Sequence, residues 1–250
     1  HFSSPLFRRV LPRRDAVMDK PPLARPPSRP HRQGMLRALA LALLATSPTL
    51  ACETALLLSI DVSGSIDSGD YRLQTEGLTA ALADPEVVEA LVRGQVALAV
   101  VQWSGPSQQA LVLPWQRMLD PAAVTRFADS AATMPRAFKG SDTAVGEAIR
   151  FALAQFAPVG DCKRRVIDIS GDGQENAGFT DAKARSEAVA ADVMINAIAI
   201  EEAGQAFPIT GYYRGWVITP GGFVVSARGL ADYAATLRAK LLRELQKPVG

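Results

Sequence analysis

Apolar residues along the chain fall into two patterns, short nearly unbroken runs and longer stretches with helical spacing. The segments 55–59 and 165–170 are typical of strands that are buried on both faces. The stretch 142–156 instead repeats apolar residues every three or four positions, which is typical of an amphipathic helix. Strands that alternate with helices in this way predict an α/β fold, a doubly wound and mostly parallel six-stranded sheet with helices on both faces. Further strands are predicted at 95–101, at 109–113 on the edge, at 193–200 and near 223–225, and further helices at 71–83, 86–92, 121–134, 180–191 and 230–245.

Oxygen-bearing side chains follow two of the predicted strands. Asp61, Ser63 and Ser65 come after the first strand, and Asp172 follows the strand at 165–170 between two glycines. Thr143 stands near the start of the helix at 142–156. In an open parallel sheet, ligands gather outside the carboxyl ends of the strands, so these five side chains can meet there. Carboxylate and hydroxyl oxygens are hard ligands, which suit Mg²⁺, Mn²⁺ or Ca²⁺ rather than Zn²⁺.

The same hydroxyl groups have a second interpretation as helix caps. Ser63 or Ser65 could accept hydrogen bonds from the first turn of a helix that begins near Ser68. Thr143 could likewise turn its hydroxyl towards backbone amides instead of a metal ion. We favour the metal for Thr143, because the two carboxylate-bearing loops are expected at the same edge of the sheet.

Charge divides the chain into two unlike parts. Residues 1–51 carry nine Lys or Arg against two Asp or Glu, a net charge of +7, whereas residues 52–250 carry 18 against 23, a net charge of −5. The acidic balance of the larger part argues against nucleic acid as a partner. Both histidines, His1 and His31, lie in the front part. Residues 52–250 therefore exclude a Ser-His-Asp or Cys-His nucleophilic site and any histidine metal site.

The front part is predicted to contain no folded domain. Residues 1–34 are rich in arginine and proline and are expected to be a disordered leader, or to result from a mis-assigned start. Residues 35–51 have the pattern of a bacterial signal peptide, with about ten apolar residues where a membrane span needs about 20. We therefore expect cleavage after Ala51, a mature domain at 52–250, and a periplasmic or secreted protein. A lipoprotein anchored through Cys52 is the alternative, although the residues before Cys52 depart from the lipidation pattern.

Several motifs in the chain resemble those of a known family. The Asp-x-Ser-x-Ser sequence at 61–65, with Thr143 and Asp172, is similar to the metal-ion-dependent adhesion site of von Willebrand factor type A domains. The likeness extends to DUF1194, a family of secreted bacterial proteins of von Willebrand type, and covers roughly residues 52–245. It is carried by the motifs Gln-Trp-Ser-Gly at 102–105, Cys162 followed by Arg-Arg-Val-Ile-Asp at 164–168 and Ser-Gly-Asp-Gly at 170–173, Tyr-Tyr at 212–213, Val-Ile at 217–218, and Gly-Gly-Phe-Val at 221–224.

The resemblance implies the strand order 3-2-1-4-5-6. In this order the first and fourth strands are parallel neighbours, and Cys52 and Cys162 precede them at the same edge of the sheet. We therefore expect a Cys52–Cys162 disulfide, in agreement with the even cysteine count and an oxidising compartment.

The resemblance also implies a function. Asp61, Ser63 and Ser65 would bind a divalent cation directly, most simply Mg²⁺, with Thr143 binding directly or through water and Asp172 through water. A carboxylate from a partner protein or peptide would complete the coordination, so the expected activity is reversible binding and the protein is not expected to be an enzyme.

Two other functions are alternatives. One is a metal-dependent hydrolase or phosphotransferase with Asp61 as nucleophile, although such enzymes need a second carboxylate where this chain has Ser63. The other is a structural subunit of an envelope complex with a vestigial metal site. Glu175, three residues after Asp172, either adds a carboxylate near the predicted site or is simply solvated, and the segment 201–216 leaves its strand at the same edge of the sheet as the metal loops. Three aromatic residues in or beside that segment either form a binding rim or cover the edge of the last strand, namely Tyr212, Tyr213 and Trp216.

Overall fold

Apolar strands and amphipathic helices alternate through the computed structural model, which describes residues 52–140, 142–201 and 208–246. The predicted leader at 1–34 and signal peptide at 35–51 lie outside the described residues, as does part of the segment 201–216. The strands are β1 (Thr54–Asp61), β2 (Ala97–Trp103), β3 (Gln109–Arg117), β4 (Arg164–Gly171), β5 (Met194–Glu201) and β6 (Val224–Arg228). The helices are α1 (Ser68–Ala83), α2 (Pro85–Arg93), α3 (Pro121–Thr133), α4 (Val145–Ala154), α5 (Asp181–Ala190), α6 (Ile209–Tyr212) and α7 (Tyr233–Leu245).

The six strands form one sheet in the order β3-β2-β1-β4-β5-β6, which confirms the predicted fold class and strand order. All neighbouring pairs are parallel except β2 and β3, which pair antiparallel at the edge. The central strand β1 is buried along its whole length. Its carboxyl end and that of β4 therefore open at the same edge of the sheet, with Ile60 paired to Ser170.

The two faces of the sheet pack against different helices. Leu56, Leu58 and Ile60 of β1 belong to one core cluster, which also contains apolar residues of α1, α2, α3 and α7. Ala55 and Leu57 belong to the other cluster, with α4 and α5. Side chains alternate between the faces of a strand, so Asp61 follows Ala55 and Leu57 onto the side of α4 and α5.

A disulfide joins Cys52 to Cys162, with a Cα–Cα distance of 4.4 Å, which confirms that prediction. The bridge lies at the amino ends of β1 and β4, where the backbone N–H of Lys163 also donates to the carbonyl oxygen of Cys52 over 2.9 Å. It therefore stands at the edge of the sheet opposite the loops that carry Asp61 and Asp172.

Several element boundaries differ from the sequence-based predictions, and two of them have a clear structural reason or consequence. β3 continues from Gln109 to Arg117 through Pro114, because an edge strand tolerates a residue that lacks a backbone donor. α4 begins at Val145 and not at 142, which leaves Thr143 in the loop before the helix. Within the described part of the chain, no helix is both long and apolar enough to cross a bilayer.

Candidate metal centre

The loop after β1 begins with a fully buried carboxylate. Asp61 is 0% exposed, and its Oδ1 atom accepts a hydrogen bond of 2.7 Å from the backbone N–H of Ser63. Its second oxygen, Oδ2, accepts no hydrogen bond from the described residues. A buried polar atom without a partner costs stability, so this oxygen is available for a ligand that the protein chain does not itself supply.

Four side chains continue from this carboxylate as a line of oxygen atoms. The Oγ atom of Ser63 lies 3.4 Å from that of Ser65 and 3.4 Å from the Oγ1 atom of Thr143. Ser65 donates in turn to Asp172 Oδ1 over 2.7 Å. The fold thus brings all five predicted residues together at the carboxyl ends of β1 and β4. Their role as metal ligands stays a prediction.

The capping interpretation does not hold for Ser63 and Ser65. α1 is capped by Asp67, whose Oδ1 atom accepts from the backbone N–H groups of Gly69 and Asp70 over 2.6 and 2.9 Å. Asp70 reciprocates by accepting from the Asp67 N–H, which completes a capping box. The two serine hydroxyls therefore do not cap α1, and their contacts are with each other and with Thr143 and Asp172.

Thr143 does not cap α4 either. The helix begins with Ala144 at its N-cap position and has no side-chain capping bond. Asn176 instead fixes the backbone of Thr143, because its Oδ1 atom accepts from the Thr143 N–H over 2.8 Å and its N–H donates to the Thr143 carbonyl over 3.0 Å. These two bonds hold the Thr143 side chain over the loop after β1.

The electrostatics of the centre favour a cation. Burial, together with the negative charge of Asp172, raises the pKa of Asp61 from its usual 3.8 to about 7. Arg136 donates from its Nη2 atom to the carbonyl oxygens of Val62 and Ser63, over 2.8 and 2.9 Å, and its charge offsets the raised pKa of Asp61 only in part. A divalent ion would stabilise the ionised form of Asp61 in these buried surroundings.

The donor set fits a hard divalent cation. No group of three or more His, Cys, Asp or Glu side chains that could hold a metal occurs in the described ranges, so a metal here would rely on hydroxyl oxygens as well as carboxylates. Oxygen ligands of this kind are those that Mg²⁺ prefers. The unpartnered Asp61 Oδ2 atom gives such an ion a charged ligand that is already in place.

Tyr213 is a neighbour of the centre that the sequence analysis placed only at a rim or a strand edge. Its ring is fully buried, and a Cβ atom added to Gly171 would lie 2.5 Å from its hydroxyl oxygen and 2.9 Å from Asp61 Oδ2. Only glycine therefore fits at position 171. Burial, and then the charge of Asp61, raises the pKa of Tyr213 well above its usual value. A glycine directly before Asp172 was the only signal of this contact in the sequence.

The other two aromatic residues of this region lie beside α5. The Tyr212 hydroxyl donates to Asp181 Oδ2 over 2.8 Å, which joins it to the start of α5. Trp216 is 56% exposed and lines a shallow depression with Arg185 and Val189 of α5.

Glu175 accepts hydrogen bonds from the protein backbone. Its carboxylate accepts hydrogen bonds from the backbone N–H groups of Thr180, Asp181 and Gly146, over 2.7, 2.9 and 3.3 Å. These donors belong to the starts of α5 and α4, whose N-terminal ends favour a negative charge. Glu175 therefore ties the loop after β4 to both helices and is not simply a solvated carboxylate near the centre.

Solved structures with the same fold come from several kinds of protein. They include proximal thread matrix protein 1 from the mussel byssus "with zinc occupied MIDAS motif" (16% identity, TM-score 0.59, covering 77% of this chain and 48% of that one). A "von Willebrand factor type A from Catenulispora acidiphila" has 18% identity and a TM-score of 0.59, over 80% of this chain and 44% of that one. The pilus adhesin SpaC from Lactobacillus rhamnosus GG has 11% identity and a TM-score of 0.55, over 77% and 30%.

At these identities the likeness shows the fold alone, and this chain spans less than half the length of each of those chains. No curated protein matches the sequence. One family does, under the description "Protein of unknown function (DUF1194)", and it matches residues 51–249. With that match over most of its length and a sheet in the order of the von Willebrand factor type A fold, the chain belongs to the DUF1194 family.

Proposed function

We propose that this protein is an exported binding module that holds Mg²⁺ at the carboxyl ends of β1 and β4 and, through that ion, binds a carboxylate on a partner protein or peptide. The observation that carries the proposal is the unpartnered, fully buried Oδ2 atom of Asp61. The other oxygen of the same carboxyl group accepts from the backbone of Ser63, whose hydroxyl belongs to a row of three hydroxyl groups that ends at Asp172.

Each of the five residues has a distinct part in the proposed site. Asp61, Ser63 and Ser65 bind the ion directly, and Thr143 binds directly or through a water molecule. Asp172 acts through water, in keeping with its existing hydrogen bond from Ser65. Because Asp61 is the only charged direct ligand, the ion keeps much of its positive charge. An acidic group of a partner then supplies the missing charge and the remaining coordination position.

Binding without turnover is the activity that this donor set supports. An aspartate nucleophile of the phosphotransferase kind needs a second carboxylate two positions later to move a proton, and that position is Ser63. Its hydroxyl lies between those of Ser65 and Thr143, where it suits coordination. Two proteins with the same fold, one described with a zinc-occupied MIDAS motif and the other as a pilus adhesin, support a metal-dependent adhesive role.

Titration calorimetry with Mg²⁺ and with Mn²⁺ tests the metal site. Wild-type protein should bind one ion, and Asp61→Ala should lose binding while it stays folded, because the residue ends a strand and does not hold a helix in place. The matched control is Asp129→Ala, which removes an exposed carboxylate from α3. Equal affinity of wild type and Asp61→Ala would refute the metal assignment, and so would the absence of binding by folded wild-type protein.

Capture from an envelope extract tests the partner. Wild-type protein should retain a partner in the presence of Mg²⁺ and release it on addition of a chelator, and Asp61→Ala should retain nothing. Blocking the carboxylates of the captured partner should abolish rebinding. Rebinding that is indifferent to chelator or to carboxylate blocking would contradict the proposed mode of recognition.

A further inference from the structure

Three ionisable side chains lie buried together far from the metal centre, between the sheet and α7. They are Asp168 of β4, which is 3% exposed, and Lys240 and Glu244 of α7, which are 0% and 5% exposed. The Nζ atom of Lys240 lies 2.5 Å from Asp168 Oδ1 and 2.5 Å from Glu244 Oε1. Lys240 falls within the helix predicted at 230–245, where a charged residue is ordinarily exposed, so its complete burial is a finding of the structure.

One ammonium group faces two carboxyl groups in this cluster. If all three were charged, one negative charge would stay uncompensated in the interior, at a high desolvation cost. The two carboxyl groups differ in their surroundings. Glu244 Oε1 also accepts from Asn196 Nδ2 over 2.8 Å. Asp168 Oδ1 has the Lys240 ammonium group as its polar neighbour, and Asp168 Oδ2 has no hydrogen-bond partner among the described residues.

Asp168 is consequently the carboxyl group that holds a proton. Burial, and then the neighbouring charge of Glu244, raises the pKa of Asp168 to about 8. Leu58, Ser170 and Tyr233 line the surroundings of this carboxyl group. A protonated carboxyl group is electrophilic at carbon, whereas a carboxylate is not. The neutral amine of a lysine is a nucleophile.

We propose that Lys240 and Asp168 join in a covalent amide bond that cross-links α7 to β4. The geometry for this reaction is already present, because Lys240 Nζ touches the Asp168 carboxyl group and also donates to Glu244. The fold holds the nucleophile, the electrophile and a base in contact, and such fixed proximity replaces the activation that an amide bond needs in water.

The reaction balances without any co-reactant. Lys240 first gives one ammonium proton to the carboxylate of Glu244, and its neutral amine attacks Cγ of protonated Asp168. The tetrahedral intermediate then loses a hydroxyl group, which leaves as water with the second proton of the amine, relayed by Glu244. The C–N bond forms, the Cγ–OH bond breaks, and Glu244 finishes protonated. No ionised group remains in the cluster, so the product removes the buried charge of the reactants.

Asp168 and not Glu244 is the electrophile for two reasons. Glu244 Oε1 accepts hydrogen bonds from Asn196 Nδ2 and from Lys240 Nζ, so it is placed to accept a proton from Lys240. Asp168 belongs to a different element from Lys240, so only its bond would tie the helix to the sheet. Glu244 is therefore the base that assists the reaction.

Peptide mapping of the folded full chain tests this proposal. After reduction and trypsin digestion, wild-type protein should yield peptide 166–183 joined to peptide 239–243, with a mass one water molecule below the sum of the two, and no cleavage after Lys240. Fragmentation should place the bond between Asp168 and Lys240. Separate, unmodified peptides from folded wild-type protein would overturn the proposal, as would a bond from Lys240 to Glu244.

Variants separate the reaction from simple packing. Glu244→Gln keeps an acceptor for Asn196 but removes the base, so the two peptides should be recovered separately. Lys240→Arg keeps the charge without the nucleophilic amine and should likewise give no joined peptide. A joined peptide in Glu244→Gln at the wild-type yield would refute the assigned role of Glu244. The wild-type map decides the bond itself even if a variant fails to fold.

Discussion

The disulfide gives the most quantitative prediction about stability. Replacing both Cys52 and Cys162 with alanine removes a bridge between residues 110 positions apart, without placing new hydroxyl groups in the core. The bridge restricts the conformations that the unfolded chain can adopt, so its loss raises the conformational entropy of the unfolded state. The folded state changes little by comparison, because the backbone bond from Lys163 to Cys52 also holds the two segments together.

The size of the effect follows from the length of the closed loop. For the sequence separation of 110 residues, the chain-entropy relation gives about 5 kcal/mol at 25 °C. A domain of this size loses about 2–4 °C of melting temperature for each kcal/mol, so the double variant should melt about 10–20 °C below wild type. Residual structure in the unfolded chain lowers this figure, which is therefore an upper value.

Thermal denaturation followed by circular dichroism measures the change, and wild-type protein in reductant serves as the matched control. Mg²⁺ affinity at a temperature where both proteins are folded should differ by less than a few-fold, because β1 separates the bridge from Asp61 by about 25 Å. A double variant that melts with wild type would refute the loop-entropy reasoning. A large loss of affinity in a folded variant would show that the two ends of β1 are coupled.

Two further predictions concern polar contacts. Glu175→Ala removes the acceptor for three backbone N–H groups, so the free energy of unfolding measured in urea should fall by about 1–3 kcal/mol. The exposed control Glu76→Ala should change that free energy little. Equal effects of the two substitutions would contradict the anchoring role of Glu175. The hydrogen bond from Arg238 lowers the pKa of Asp84, which also caps α2, so its contribution is present at neutral pH and is lost as the pH falls through the lowered pKa. The melting-temperature deficit of Asp84→Asn should therefore be larger at neutral pH than below about pH 4, and a deficit independent of pH would contradict this.

Much of the fold could be predicted because the strands are nearly continuous apolar runs. β1 and β4 are buried on both faces, so their sequences are nearly continuous apolar runs, which are typical of strands in a parallel sheet. The change from apolar residues to Asp, Ser and Gly at the carboxyl ends of these strands then indicated where the candidate centre lies. The strand order and the disulfide came from the family likeness, since strand patterns alone do not fix which strands are neighbours.

Other features depend on contacts between distant segments and left little local signal. In the sequence, Lys240 and Glu244 look like ordinary charged positions of a surface helix. In the structure both are buried, and Lys240 pairs with Glu244 and with Asp168 of β4. Glu175 resembled a solvated loop residue because its three donors lie at the starts of two separate helices. The hydroxyl of Tyr213 and Asp61 Oδ2 both lie where a side chain at position 171 would have to stand, which the glycine leaves open.

Arg136 shapes the centre without being one of its predicted ligands. Its guanidinium group holds the carbonyl oxygens of Val62 and Ser63, so the backbone of the loop after β1 is tied down by the protein itself. An ion that enters such a preorganised loop does not have to offset the entropy of ordering it. If the proposed site binds an ion, Arg136 would therefore contribute to its affinity from a distance, and the rate at which the ion leaves would depend on a residue outside the ligand set.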